Sequence, residues 1–402
     1  MKILFWMFIG FDQHATSEHL LIPVIEQLCK AGHSVHVIQK DTGGELPHIP
    51  VELSEYPVTT TVIPFKAAQK GNFVARYLVE LKYVKACKKH ITSEFDAVFI
   101  QSNNVAGFAV REIRKKLPTV PVTFNVQDIF PNNASISNKI KGNSVIYKVL
   151  LGIQHYAYKN VNNIITISED MKDTLVNDGV SKDKIIVIYN WSYQDDVYHD
   201  LDITPVADIF SKQYYNVVYA GNIGIMQNVD IIIEAASIMR NNDNIWFHII
   251  GDGVYKGELE KRAKDYGVHN ISFWPMQPPK YAPMIYCAAD INIIPLVKGI
   301  YKTALPSKTA TCLACQKPII FAIGKDSKYG EKVMSATGCP VVEPDVPEEL
   351  VQVINDIKSG EIICSTKGFF LKHCNRTNNT KEYVATICNA TKKKEHVSNV
   401  VN

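Results

Sequence analysis

Residues 214–253 read YYNVVYAGNIGIMQNVDIIIEAASIMRNNDNIWFHIIGDG. NVVYA is an apolar, β-branched run that stops at a glycine pair. NVDIIIEAASIM carries helical spacing, and NIWFHII is a second apolar run that stops at Gly251-Asp252-Gly253. Apolar runs of strand length alternating with helical segments imply a mostly parallel sheet covered on both faces. The rhythm continues through ELEKRAKDYG, NISFWPMQ, YAPMIYCAADINIIPL, GIYKTALPSKTATCLACQKPIIFAI (299–323) and GCPVVEP.

The first half repeats the pattern. KILFWMFIG, HSVHVIQ, FDAVFIQS (95–102), VPVTFNVQDIF, NNIITIS (162–168) and IIVIYNW read as strands. TSEHLLIPVIEQLCKAG reads as a helix capped by Thr16 or Ser17 and stopped by Gly32, and residues 104–117 as another. Residues 192–212 are polar, with Pro205 and several aspartates, as an interdomain linker would be. Residues 376–390 read as a final helix, and the end bearing Lys392, Lys393 and Lys394 has the composition of a disordered tail. The division expected is 1–195, a linker at 196–212, 213–380, and a terminal helix and basic tail at 381–402 that packs back on the first half. A chain of 402 residues exceeds one comfortable core, which agrees with two α/β domains.

Composition excludes several classes. The net charge of +3 gives no domain-wide basic excess, so nucleic acid is not an expected partner. No apolar run reaches about 20 residues, which argues against a transmembrane span. Asp12, Gln13 and His14 follow the first apolar run without a small-residue cleavage motif, so that run reads as a buried strand rather than a signal peptide. The nine cysteines are an odd number in apolar or helical contexts, as free thiols in a reducing compartment would be. Cys312 and Cys315 form a CxxC, but no second pair or nearby histidine completes a zinc set, and they read as core cysteines. No metal site is expected.

Polar groups at strand ends are the candidate site residues. Gly221, Asn222 and Gly224 follow a strand directly; glycines there let backbone approach a ligand and free amides for phosphate, or simply make a tight turn. The third small residue of a dinucleotide fingerprint is missing. Gly251 and Asp252 follow the next strand, where Asp252 would orient a ligand hydroxyl or serve the turn. Ser307 and Lys308 open the helical part of 299–323. A lysine at a helix N-terminus opposes the local dipole, a cost that a bound diphosphate would offset. The plainer reading is a solvated lysine after a Pro-Ser turn, with Ser307 as cap. Thr309 and Thr311 follow on the same segment.

In the first half, Gln127-Asp128 ends a strand. Asp128 would fix a sugar hydroxyl or stabilise positive charge, or form an Asx turn before Pro131. Glu169 beside Ser168 would bond an acceptor or begin a helix. His14 and His19, with Ser17 between them, flank the first helix start and would contact substrate or lie at the surface. Segment 66–90 is basic and amphipathic. It suits an anionic membrane surface, or a surface helix with its apolar stripe on the core. No Ser–His–Asp order, HExxH or EF-hand loop appears, which weakens hydrolase and metal-centred readings.

The chain resembles the GT4 family of glycosyltransferases, with the GT-B fold: α/β, two Rossmann-like domains facing an interdomain cleft. It is most similar to the bacterial branch that builds surface polysaccharides, including N-acetylfucosaminyl and colanic-acid enzymes. The resemblance rests on QDIFP (127–131), TISEDM (166–171), VIYNW (187–191), YAGNIGIMQNVDIIIEAA (219–236), GDG (251–253) and LPSK…LACQKPII (305–320). It implies sugar transfer with retention from a nucleotide donor, without a bound metal or other cofactor. The C-terminal domain would hold the donor and the N-terminal domain the acceptor.

By this resemblance Gly221, Asn222 and Gly224 would line the donor phosphates, and Ser307 and Lys308 would meet the diphosphate or adjacent sugar. The loops after Gly251 and Met276 would approach the base. Three departures stand out: Gln127 occupies the position of a histidine, Asn222 and Gln227 replace basic residues, and Thr303 and Thr311 stand where many members carry glutamates. Thr311 thereby falls at the position expected to hold the ribose.

The expectation is a retaining transferase with a UDP-linked donor, an N-acetylhexosamine or N-acetyl-6-deoxyhexosamine. Asp128, Lys308 and Glu169 would carry the chemistry, with His14, Ser17, His19 and Gln127 on the acceptor side. The acceptor would be a glycan or polyprenyl-diphosphate-linked glycan in capsule, O-antigen or exopolysaccharide synthesis. The setting would be the bacterial cytoplasm, peripheral on the inner face of the membrane and beside polysaccharide assembly proteins. The alternatives are a UDP-sugar 2-epimerase and a non-catalytic nucleotide-sugar-binding subunit.

Overall fold

The computed structural model describes residues 1–12, 18–67, 73–136, 139–242 and 244–398, without the side chains of residues 73 and 390–398. The chain divides into two compact units, Met1–Tyr189 with Thr377–Asn402, and Asn190–Arg376.

The first unit carries seven strands: β1 (Lys2–Trp6), β2 (Ser34–Asp41), β3 (Val58–Pro64), β4 (Ala97–Gln101), β5 (Val122–Val126), β6 (Asn163–Thr166) and β7 (Ile185–Val187). They lie in the order β3-β2-β1-β4-β5-β6-β7, and every pairing is parallel. β4 and β5 are buried along their whole lengths, as strands covered by helices on both faces must be. β3 is absent from the strands expected above. VTTTVIP lies at the sheet edge, where only Ile63 is fully buried, so it has no continuous apolar run to reveal it.

The final helix, Arg376–Ser398, takes in Lys392, Lys393 and Lys394, so the tail is helical rather than disordered to that point. Its residues from Thr377 onward belong to the first unit. Asn379 donates to the Tyr189 carbonyl at 2.7 Å, and the buried Tyr383 hydroxyl donates to Asn125 Oδ1 at 3.1 Å. Asn163 donates in turn to the Thr386 carbonyl at 2.9 Å.

The second unit holds β8 (Tyr215–Ala220), β9 (Ile245–Ile250), β10 (Ile271–Trp274), β11 (Ile291–Pro295), β12 (Ile319–Ala322) and β13 (Val341–Val342). The order is β10-β9-β8-β11-β12-β13, again all parallel. Residues 196–212 are counted with this unit: Val197, Val206 and Ile209 are buried, and the Tyr198 amide donates to the Ala314 carbonyl at 2.8 Å. The core gathers Ile231, Ile232 and Ile233 of helix Asp230–Ile238 with Phe247, Ile293, Ile320, Leu350 and Ile354.

Strand order reverses between β8 and β11 in the second sheet and between β1 and β4 in the first. Loops leaving the carboxyl ends of such strands part in opposite directions and open a ligand-sized crevice. In the second unit these loops are braced, since the Val297 amide donates to the Met226 carbonyl at 3.0 Å.

The turns after β8 and β9 touch backbone to backbone. A methyl group at Gly251 would stand 1.9 Å from the Gly221 carbonyl oxygen, and one at Gly253 would stand 2.1 Å from that of Ile223. Gly253→Ala must therefore push two main chains apart, and it is expected to destabilise the fold by about 1–3 kcal/mol. Gly257→Ala, in open space on helix Lys256–Asp265, should be neutral or stabilising. Urea midpoints of the two variants check this; equal midpoints would remove the close packing from the account.

Candidate active site

The turn after β8 builds the cationic end of the second unit. Gly221 has φ +141°, a conformation open to glycine, and its amide donates to the Ile250 carbonyl at 2.9 Å. The Ile223 amide donates to the Asp252 carbonyl at 2.8 Å. Alternate amides are thus spent on the neighbouring turn. Those of Asn222 and Gly224 have no acceptor among the described residues. The Asn222 side chain donates to Gln227 Oε1 at 3.4 Å.

Lys308 reaches this turn from the first residue of helix Lys308–Ala314. Its Nζ lies 3.6 Å from the centre of the Tyr219 ring and donates to the Ala220 carbonyl at 3.0 Å. No carboxylate pairs with it among the described residues. The lysine is only partly open to solvent, and burial pushes its ammonium down to about 7. The expectation that a ligand must offset the cost of this cation is modified here. A ring face and a carbonyl already offset part of it, but both are neutral, so the charge has no counter-ion.

Ser307 holds the N-cap position but makes no capping bond with its side chain. Its hydroxyl has no protein partner among the described residues. Thr309 instead donates to the Pro306 carbonyl at 2.8 Å. Thr311 is 4% exposed, and its hydroxyl accepts from Ser192 at 3.4 Å.

Asp252 follows the turn reading: its Oδ1 accepts the Gly253 amide at 2.8 Å. Lys256 locks the same turn by donating to the carbonyls of Gly251 (3.1 Å), just after β9, and Trp274 (2.9 Å), the last residue of β10. Tyr286 donates its hydroxyl to the Ala220 carbonyl at 3.1 Å. Tyr219, Lys256 and Tyr286 were not anticipated. Only the proximity of Tyr219 to Gly221 in the chain could have pointed to one of them.

In the first unit Asp128 follows β5 and is exposed. The crowding around it pushes its carboxyl up to about 6, although water access to the side chain works against so large a shift. At neutral pH it is mainly a carboxylate.

Gln127 does not extend free from the strand end. Its amide donates to Asn125 Oδ1 at 3.1 Å and to the Tyr383 hydroxyl at 3.4 Å, so it is anchored to the final helix. Glu169 begins helix Glu169–Asn177, whose cap is Ser168 accepting from the Met171 amide at 3.1 Å. The Tyr189 hydroxyl donates to Glu169 Oε2 at 2.5 Å. His19 lies in the first turn of helix Glu18–Lys30, half-buried. His14 and Ser17 lie outside the described residues.

Comparison with known proteins agrees with this arrangement of parts. Residues 18–191 match the model of Glycosyltransferase Family 4, and residues 206–367 that of Glycosyl transferases group 1. The Escherichia coli K12 glycosyl transferase WcaI, named for colanic acid biosynthesis, is 29% identical over 221 residues, 54% of this chain and 54% of that protein. The chain therefore spans about half the length of that relative. The Pseudomonas aeruginosa protein WbjE, named a glycosyltransferase, is 24% identical over 338 residues, 80% of this chain and 82% of that protein.

Among solved structures, Anabaena HepE in complex with UDP and glucose superposes with a TM-score of 0.63 at 15% identity, covering 100% of this chain and 99% of that one. With two parallel Rossmann-like sheets and both family models matched, the chain belongs to the GT4-like glycosyltransferases of the GT-B fold.

Proposed function

We propose that the chain is a retaining glycosyltransferase. It takes a sugar from a UDP-linked donor, an N-acetylhexosamine or N-acetyl-6-deoxyhexosamine, and passes it to a glycan or polyprenyl-diphosphate-linked acceptor in surface-polysaccharide synthesis. The observation that carries this reading is Lys308: among the described residues, a half-buried cation with no anionic partner, beside a turn with two uncommitted amides. The UDP bound by HepE and the colanic-acid name of WcaI support the donor and product classes.

In this reading residues 213–380 take the donor and residues 1–195 the acceptor, with 381–402 returning to the first half. The amides of Asn222 and Gly224, the Ser307 hydroxyl and Lys308 would hold the diphosphate. They would stabilise the charge that builds as the sugar–phosphate bond breaks. Asp128 would offset positive charge at the anomeric carbon. The acceptor hydroxyl would attack from the face the diphosphate leaves, and the departing phosphate oxygen would take its proton. Glu169, tied to Tyr189, and Gln127, tied to Tyr383, would shape the acceptor side together with His14, Ser17 and His19.

The setting proposed is the inner face of the bacterial cytoplasmic membrane, beside polysaccharide assembly proteins. No described helix is long and apolar enough to cross a membrane. Helix Phe73–Cys87 buries Tyr83, Val84 and Cys87 but leaves Val74 65% and Leu78 52% exposed. Tyr77 packs on the same cluster (Phe130, Leu150) as Tyr147 of helix Val145–Asn160, which leaves Val145, Ile146 and Val149 exposed. Arg76, Lys139, Lys141 and Lys148, all exposed, supply positive charge on these segments. Such a face suits an anionic bilayer.

Four measurements test these proposals. Calorimetry across UDP, GDP, ADP and TDP should find UDP selected, and Lys308→Ala should weaken it by tenfold or more, about 1.5–3 kcal/mol for a charged hydrogen bond. The protonated lysine is the binding form, and burial pushes its ammonium down to about 7. Affinity for UDP-N-acetylglucosamine should therefore fall as pH rises from about 6 to about 8.5, and Lys308→Arg should flatten that profile. Undiminished UDP binding by Lys308→Ala would sink the phosphate role.

Asp128→Asn should bind the same donor normally yet release UDP from it about a hundredfold more slowly; full turnover would remove Asp128 from the chemistry. Finally, the protein should co-sediment with phosphatidylglycerol vesicles and not with neutral ones. Leu78→Glu with Val149→Glu should abolish that binding. Equal recovery on both vesicle types would count against the membrane face.

A further inference from the structure

Cys287 lies in helix Ala282–Ala288, and Cys315 closes helix Lys308–Ala314. Their sulfurs are 2.6 Å apart, with the Cys287 thiol donating, and the Cys315 thiol lies 3.5 Å from the Pro283 carbonyl. Both are free thiols. Cys287 is half-buried and within reach of a small oxidant, whereas Cys315 is 6% exposed. Cys312, the other member of the CxxC, is buried and bonds neither sulfur among the described residues. The close pair therefore joins two helices rather than two turns of one.

We infer that Cys287 and Cys315 are a reversible dithiol–disulfide site that couples oxidation to the donor loop. The reactive thiol is Cys287. Once ionised, Cys287 accepts a hydrogen bond from the Cys315 thiol, which holds its pKa below the ordinary value, and the charge of Lys317 adds to this. Its thiolate attacks one oxygen of a peroxide, the O–O bond breaks and hydroxide leaves, giving a sulfenic acid. The Cys315 thiol then attacks that sulfur, the S–S bond forms, and the sulfenic oxygen leaves as water with the thiol proton. Two thiols lose two electrons and the peroxide is reduced to two waters. A dithiol reverses the step by exchange. Disulfides in a reducing compartment are characteristically of this transient kind.

The coupling follows from what the two helices carry. Tyr286, beside Cys287, donates to the Ala220 carbonyl at 3.1 Å, and Lys308, at the start of the other helix, donates to the same oxygen at 3.0 Å. A covalent bond draws the sulfurs closer than 2.6 Å. It thereby shifts two helices that meet at the residue before Gly221. This coupling, unlike the thiol pair, rests on the proposed donor role of Lys308.

The test treats the full chain with hydrogen peroxide, maps cross-linked peptides by mass, and measures UDP affinity before oxidation, after it, and after dithiothreitol. The expected map shows Cys287 joined to Cys315, lost in Cys287→Ser, kept in Cys312→Ser, and reversed by the dithiol. UDP affinity should drop several-fold on oxidation of the wild type and stay constant in Cys287→Ser. No cross-link, or one through Cys312, would overturn the site. A Cys287–Cys315 cross-link with unchanged UDP affinity would overturn the coupling. The peptide map judges the thiol pair whether or not the reduced protein binds UDP, so the two readings fail separately.

Discussion

The carbonyl of Ala220, at the end of β8, is the point on which the second unit's candidate site depends. It accepts from both Lys308 and Tyr286, and it stands just before the left-handed Gly221. A lysine drawn out of water costs free energy unless its charge is answered. The carbonyl dipole and the Tyr219 ring answer it in part and hold the ammonium where the strand ends. The same contact places the charge beside Gly221, in the turn that carries Asn222 and Gly224. Glycines 251 and 253 make this possible from the other side, since any side chain there would meet the backbone of residues 221 and 223.

In the first unit the final helix has a comparable place. Tyr383 reaches Asn125 and Gln127, adjacent to Asp128, while Asn379 holds the carbonyl of Tyr189, whose hydroxyl bonds Glu169. Two carboxylates over forty positions apart in the chain are thus each one step from the same helix. Satisfied buried networks of this kind specify a single arrangement, because any partner lost leaves a polar group stranded.

Much of the fold was legible in the sequence. Continuous apolar, β-branched runs such as NVVYA and WFHII read as strands buried on two faces, and the glycines that follow them, Gly221 and Gly251, mark where the backbone turns. The edge strand Val58–Pro64 escaped because edge strands face water and carry mixed residues. Of the candidate site, Lys308 and the two glycine turns stand out in the sequence, where a charge or a conformational need sits beside a strand end. The partners of Gln127 and Thr311, Tyr383 and Ser192, do not.

Periodicity and β-branching act over a few neighbouring residues, so the residue pattern alone specifies the alternation of strands and helices, and with it two parallel sheets. Long-range packing selects the partners of Lys308, the pairing of Cys315 with Cys287 rather than Cys312, and the anchoring of the Gln127 loop by Tyr383. Each of those joins residues from about 28 to over 250 positions apart, a separation at which local propensity carries no information and only packing chooses the neighbour.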